Sequence, residues 1–144
     1  MVVWFENDAA CLEILIGGYT DRPWYFKTEH MGLNALQCQV AFDNNETGRN
    51  FVMWDEILQT EEIVAICDGM EKILSRTLGK FIFHSEYETF ALAIWAGKDG
   101  FETLVQVQNI DGNVREQFCL KRTALKENYN YLKACCEKYP ARVA

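Results

Sequence analysis

The chain has 144 residues, 49% of them hydrophobic and 24% charged, with a formal net charge of −7. That length fits a single domain spanning 1–144 that buries about 70% of the surface its unfolded chain exposes, and the composition excludes disorder. The charge repels phosphate backbones and favours a basic partner or none, so only a local basic patch would permit contact with nucleic acid.

From the N-terminus onward, alternating apolar residues mark strands. Leu12, Ile14 and Ile16 form the first row, and a short extended piece is expected at Trp24-Tyr25-Phe26. Leu36, Cys38, Val40 and Phe42 form the next, with Gln37 and Gln39 facing the other way, followed by Phe51 and Met53. Thr60 then caps a helix whose first turn carries Glu61 and Glu62, where carboxylates complement the helix dipole. At helical spacing Ile63, Ile66, Cys67, Met70, Ile73 and Leu74 share one face.

Beyond Gly79 the period returns to two, through Phe81 and Phe83, then Phe90, Leu92 and Ile94, then Val105 and Val107, then Phe118 and Leu120. Gly97-Lys98-Asp99-Gly100 and Asp111-Gly112-Asn113 read as hairpin turns between them. A second helix runs from near Thr123 to about Lys138, with Leu125, Tyr129, Leu132, Cys135, Cys136 and Tyr139 on its apolar face and Pro140 as its stop. The expected fold is α+β: antiparallel β-sheet with two packed amphipathic helices in the order ββββα-ββββα. Each helix has one apolar stripe and belongs on a sheet face.

No apolar run is long enough to span a bilayer, and the first residues lack the charged and apolar regions of a secretory signal. No membrane partner is expected and the localisation reads as cytoplasmic. Six cysteines lie at 11, 38, 67, 119, 135 and 136 without C-x-x-C spacing, so reduced, buried thiols are expected rather than a metal site. Cys135 and Cys136 sit in the last turns of the second helix, away from the N-terminal position that lowers a thiol pKa, and read as packing.

Catalytic signatures are absent: no nucleophile motif, zinc-helix motif or phosphate-cradling glycine loop occurs. Of the histidines, His30 and His84, only His84 has nearby acids, Glu86 and Glu88. A small hydrolase using that trio is one reading and an ordinary strand end the other. The tryptophans Trp4, Trp24, Trp54 and Trp95 suit a core or its rim. They would also suit a base-stacking platform, and the two-unit ββββα outline resembles the Whirly-type single-stranded-DNA-binding architecture. That architecture depends on a basic strand face, and no lysine-rich strand occurs here.

Charge is divided unevenly. Asp55–Leu74 sums to −5 and Lys121–Lys138 to +3. The acids Asp55, Glu56, Glu61, Glu62, Asp68 and Glu71 are thus candidates for a partner-binding surface, because complementary charge speeds association and selects a partner. The same segment as a solvated helix face is the plain alternative.

One further pattern is familiar. Leu74-x4-Gly79-Lys80-Phe81 follows the acidic helix, and Glu86 precedes the Phe90–Ile94 strand. After the Gly100 turn come Phe118-Cys119-Leu120, Thr123-x-Leu125 and a closing helix ending Tyr139-Pro140. This resembles the WapI-type immunity proteins of bacterial contact-dependent toxin systems over roughly residues 10 to 140. Lys121-Arg122 departs from it, since an acidic residue is expected before the threonine.

The resemblance implies a non-enzymatic, cytoplasmic protein that binds and occludes a cognate toxin domain, such as a basic nuclease. No cofactor is expected, and the cysteine spacing and net charge argue against a metal and a nucleic-acid partner. An acidic adaptor unrelated to toxins is the alternative binding role.

Overall fold

A computed structural model of the chain describes residues 2–20, 34–85, 90–109 and 112–142. These form β1 (Val2–Glu6), β2 (Ala10–Tyr19), β3 (Ala35–Asn44), β4 (Asn50–Gln59), α1 (Thr60–Leu74), β5 (Lys80–His84), β6 (Phe90–Ala96), β7 (Phe101–Asn109), β8 (Gly112–Leu120) and α2 (Arg122–Lys138). The α+β class and the ββββα-ββββα order are as expected. The strands divide into two four-stranded antiparallel sheets, β1-β2-β3-β4 and β5-β6-β7-β8, because α1 interrupts the hairpin sequence. The Trp24–Phe26 piece and His30 lie outside the described residues. β1 is additional to the expected strands: only Val3 and Phe5 point inward from it, too short a row to register as a period.

Each sheet turns one row set inward. From the first come Val3, Phe5, Leu12, Ile14, Ile16, Leu36, Cys38, Val40 and Phe42; from the second come Phe83, Phe90, Leu92, Ile94, Val105, Val107, Phe118 and Leu120, all in one continuous buried cluster. Phe42 joins the two sheets, its ring stacked on Phe51 at 5.5 Å and meeting Phe118 of the second sheet at 5.9 Å. β8 runs along the turn end of the first sheet. The Asn7 amide of the β1–β2 turn donates to the Cys119 carbonyl, and Arg49 of the β3–β4 turn pairs with Glu116.

The helices cover the rest of the core. α1 buries Ile63, Ile66, Cys67, Met70 and Ile73, and α2 buries Leu125, Leu132 and Cys135. Gly69 lets α1 settle on β5: a Cβ there would stand 2.1 Å from the Phe81 ring. Arg122, at the start of α2, donates to the Leu74 carbonyl that ends α1, where a cation complements the helix dipole.

The start of α1 differs by one residue from the expected cap. Gln59 is the N-cap, and its backbone N–H donates to Glu62 Oε1 at 2.8 Å in a capping box. Thr60 is the first helical residue and is buried.

Cys135 is fully buried, whereas Cys136 is half-buried and hydrogen bonded to Cys67 across the α1–α2 contact. Burial pushes the Cys135 thiol up to about 11 and the Cys67 thiol up to about 12. The adjacent thiols are therefore divided between two kinds of packing, since consecutive helical side chains point about 100° apart.

Candidate functional site

The functional surfaces follow from strand register. Residues directly opposite across an antiparallel ladder share a face, so the side chains left outside by core packing form rows across four strands. In the first sheet one such row is Trp4, Glu13, Ala41 and Val52, and its neighbour is Glu6, Cys11, Asp43 and Asn50. The third holds Val2, Leu15 and Gln39. Three carboxylates therefore lie together with three exposed apolar residues, Trp4, Leu15 and Val52. No base lies on this face among the described residues. Trp4 Nε1 donates to Glu13 at 3.2 Å, and its ring meets Tyr131 of α2 edge-on. The Cys11 thiol is pushed up by burial and then by Glu6, Glu13 and Asp43, which surround it.

The outer face of the second sheet is built alike and charged differently. Its rows are Lys80, Trp95, Glu102 and Cys119; Ile82, Ala93, Leu104 and Gln117; and His84, Ala91, Gln106 and Arg115. Lys80 and Arg115 outweigh Glu102, the one carboxylate on the face among the described residues, and Glu102 accepts a hydrogen bond from Gln117 at 3.2 Å. The Lys80 ammonium stands 5.1 Å from the centre of the Trp95 ring, a cation–π distance. The outward residues of β6 are Ala91, Ala93 and Trp95, flanked by Ile82 on β5 and Leu104 on β7. Along β6, small side chains thus lie between larger ones and lead to the indole.

Among the described residues, two clefts open at the seam between the sheets. One, of about 410 Å³, lies between the β3–β4 turn and β8 and is lined by Gly48, Arg49, Asn50, Val114, Arg115 and Glu116. The other, of about 540 Å³, lies by the β1–β2 turn and the start of α2, where Glu6, Asp8, Asp99 and Glu127 outnumber Lys121.

Four of the six acidic residues singled out in the sequence, Glu61, Glu62, Asp68 and Glu71, have described side chains, all on α1. Glu61, Asp68 and Glu71 are exposed on α1. Glu62 is buried, and its carboxylate accepts the Gln59 N–H in the capping box. Asp55 and Glu56 belong to β4, but their side chains lie outside the described structure, as do Glu86 and Glu88. His84 stands exposed at a corner of the second sheet's open face and lines neither cleft. Among the described residues no group of three or more His, Cys, Asp or Glu is placed to hold a metal ion, and no helix is long and apolar enough to cross a membrane.

The fold is similar to that of WHY1 from Arabidopsis thaliana, with a TM-score of 0.50 and 12% identity over 98% of this chain and 85% of that one. A plant transcriptional regulator, PBF-2, aligns over 96% of this chain and 82% of its own at 15% identity, with a TM-score of 0.48. WHY3 from Arabidopsis thaliana aligns over 96% of this chain and 88% of its own at 10% identity, with a TM-score of 0.46. No family model matches the chain, and no curated protein does.

These neighbours correct two expectations. The toxin-neutralising immunity role is set aside, since the fold similarity over nearly the whole chain is to WHY1. The exclusion of nucleic acid is withdrawn on the same finding. Its physical basis is the net charge of −7 together with the lack of a lysine-rich strand, yet Lys80 and His84 of β5 and Arg115 of β8 share one face, positions that only the sheet register brings together.

Proposed function

We propose that this chain is a non-catalytic binding module that takes single-stranded nucleic acid on the outer face of its second sheet. One observation carries the reading: the rows of that face place Trp95, Lys80, His84, Arg115, Gln106 and Gln117, with Glu102 as the single described carboxylate, around Ala91 and Ala93 of β6. Bases stack on aromatic faces irrespective of sequence, and cations beside them follow the phosphates. A base on the Trp95 indole releases the Lys80 ammonium to the adjoining phosphate. Gln106 and Gln117 offer both donors and acceptors to base edges.

The net charge of −7 does not forbid this arrangement. Charges are screened over about 8 Å at physiological ionic strength, and the carboxylates Glu6, Glu13 and Asp43 belong to the other sheet. The fold shared with WHY1 agrees with the reading and supplies the scaffold; the chemistry rests on this chain's own residues.

The test is a titration of a fluorescent oligothymidylate at about 50 mM and about 200 mM salt. Binding that weakens steeply with salt, and that Lys80→Gln with Trp95→Ala reduces by at least tenfold, is the expected result. A wild-type chain that fails to bind, or a double variant that binds equally well, overturns the proposal.

A further inference from the structure

The cleft at the β3–β4 turn has a feature that simple sheet docking does not require. Glu116 alternates inward on β8, and a buried carboxylate needs a partner. Arg49 supplies it through Nη1 at 3.2 Å, yet the arginine side chain remains 69% exposed while the glutamate's is 7% exposed. A guanidinium has five donors, and this pairing uses one nitrogen of its fork. Arg49 therefore stands anchored at one end and open to the cleft at the other.

The turn that carries it is ordered before any ligand arrives. Asn44 Oδ1 accepts from the N–H groups of Glu46 and Thr47, the Asn44 N–H donates to the Arg49 carbonyl, and Thr47 Oγ1 accepts from the Arg49 N–H. Gly48 takes φ +70° at the tip, with open space where a side chain would be. Arg115, at the other side of the cleft, is also the corner of the second sheet's outer face. Two guanidiniums against one carboxylate leave this cleft positive, whereas the other cleft on the seam is acidic. Its volume lies within the range of small-ligand sites, and arginine's planar fork matches a phosphate bidentately.

We infer that this cleft holds a phosphate group of the bound strand between Arg49 and Arg115, so that the strand leaves the outer face of β6 across the His84–Arg115 row and enters the seam between the sheets. The inference rests on the reading of the second sheet as a strand-binding face. It adds an anchor outside that sheet, contributed by the first.

The decisive variant is the double substitution Arg49→Gln with Glu116→Gln. It leaves the net charge unchanged and no buried carboxylate unpaired. With one phosphate fewer neutralised, the slope of log affinity against log salt should become shallower by about 0.7, and affinity at low salt should fall about fivefold. Asn50→Asp provides a second variant at an exposed lining position that leaves the Arg49–Glu116 pair intact. The added carboxylate should weaken binding several-fold, with only a small fall in melting temperature from the Asp43 carboxylate directly opposite. If Lys80→Gln changes the salt slope and neither cleft variant does, the cleft is only a structural tie and the inference falls alone. If the wild-type chain does not bind at all, the inference falls with the function on which it rests.

Discussion

The two sheets have the same strand count, the same antiparallel up-and-down order and the same inward rows of Phe, Leu, Ile and Val, yet their outer faces carry opposite charge. The first shows Glu6, Glu13 and Asp43 beside Trp4, Leu15 and Val52; the second shows Lys80, His84 and Arg115 beside Trp95, Ile82 and Leu104. Inward positions are dictated by packing and tolerate few residue types. Outward positions are released from that constraint, so two similar scaffolds can serve different ends. On this reading the acidic face directs phosphates away from the first sheet and the basic face receives them on the second.

The contrast has meaning only if the sheets form one cooperative unit, and the largest expected effect tests that. Phe42 is buried and packs on rings from both sheets. Phe42→Ala should cost about 3–5 kcal/mol, read by urea unfolding. The destabilisation should appear as a single earlier transition. Two separate transitions would mean that the sheets fold independently and that their faces are not held in fixed relation.

Reversing charge on each face in turn sharpens the contrast itself. Lys80→Glu should weaken strand binding about tenfold, or about 1.4 kcal/mol. Glu13→Lys makes the same size of charge change in the opposite direction on the other sheet, and should change affinity by less than about twofold at physiological salt. Equal and opposite effects from the two variants would show that net charge governs binding and that the faces are not distinct.

A smaller effect separates acids that shape the fold from acids that shape the surface. Glu62→Ala removes the capping-box acceptor from the Gln59 N–H and should destabilise the protein by about 1 kcal/mol. Glu61→Ala, one residue earlier and exposed, should lie within about 0.5 kcal/mol of wild type. Similar destabilisation by both would mean that the capping carboxylate has no special role.

The residues reveal much of this architecture by themselves. Alternation places Leu12, Ile14 and Ile16 and the Phe90–Ile94 row inward, and the 3.6-residue period places Ile63, Ile66 and Met70 on the buried face of α1. Such patterns are local, and each can be read within ten residues. The basic face is not local: Lys80 and Arg115 meet on one surface only through three consecutive strand registers. The Arg49–Glu116 pair spans 67 positions and two sheets, and no motif announces it. Glu62 misleads for the complementary reason, since a carboxylate in a first helical turn has the same sequence signal whether it faces solvent or folds back to cap.

The smallest effect concerns the thiols, which report on both faces and on the helix contact. Cys11 is crowded by three carboxylates of the first sheet, and Cys119 by Glu102 and Asp99 near the second, with burial the larger influence in each case. Both should react more slowly with iodoacetate than with the uncharged iodoacetamide. The disparity should be greater at Cys11, where more negative charge repels the anionic reagent.

Cys67 and Cys135, at about 12 and about 11, keep their protons in the folded chain where the unfolded thiols, near 9, lose them. A folded-state pKa that is raised means that stability from these groups is fully present below about pH 9 and declines from there as pH rises through 11 and 12. Urea midpoints should therefore be level from about pH 7 to about pH 8.5 on their account and fall above that. Cys67→Ala with Cys135→Ala should flatten the alkaline fall after allowance for the missing packing. A fall of unchanged steepness in that variant would place the alkaline sensitivity elsewhere, and would leave the helix thiols as packing without a titration of their own.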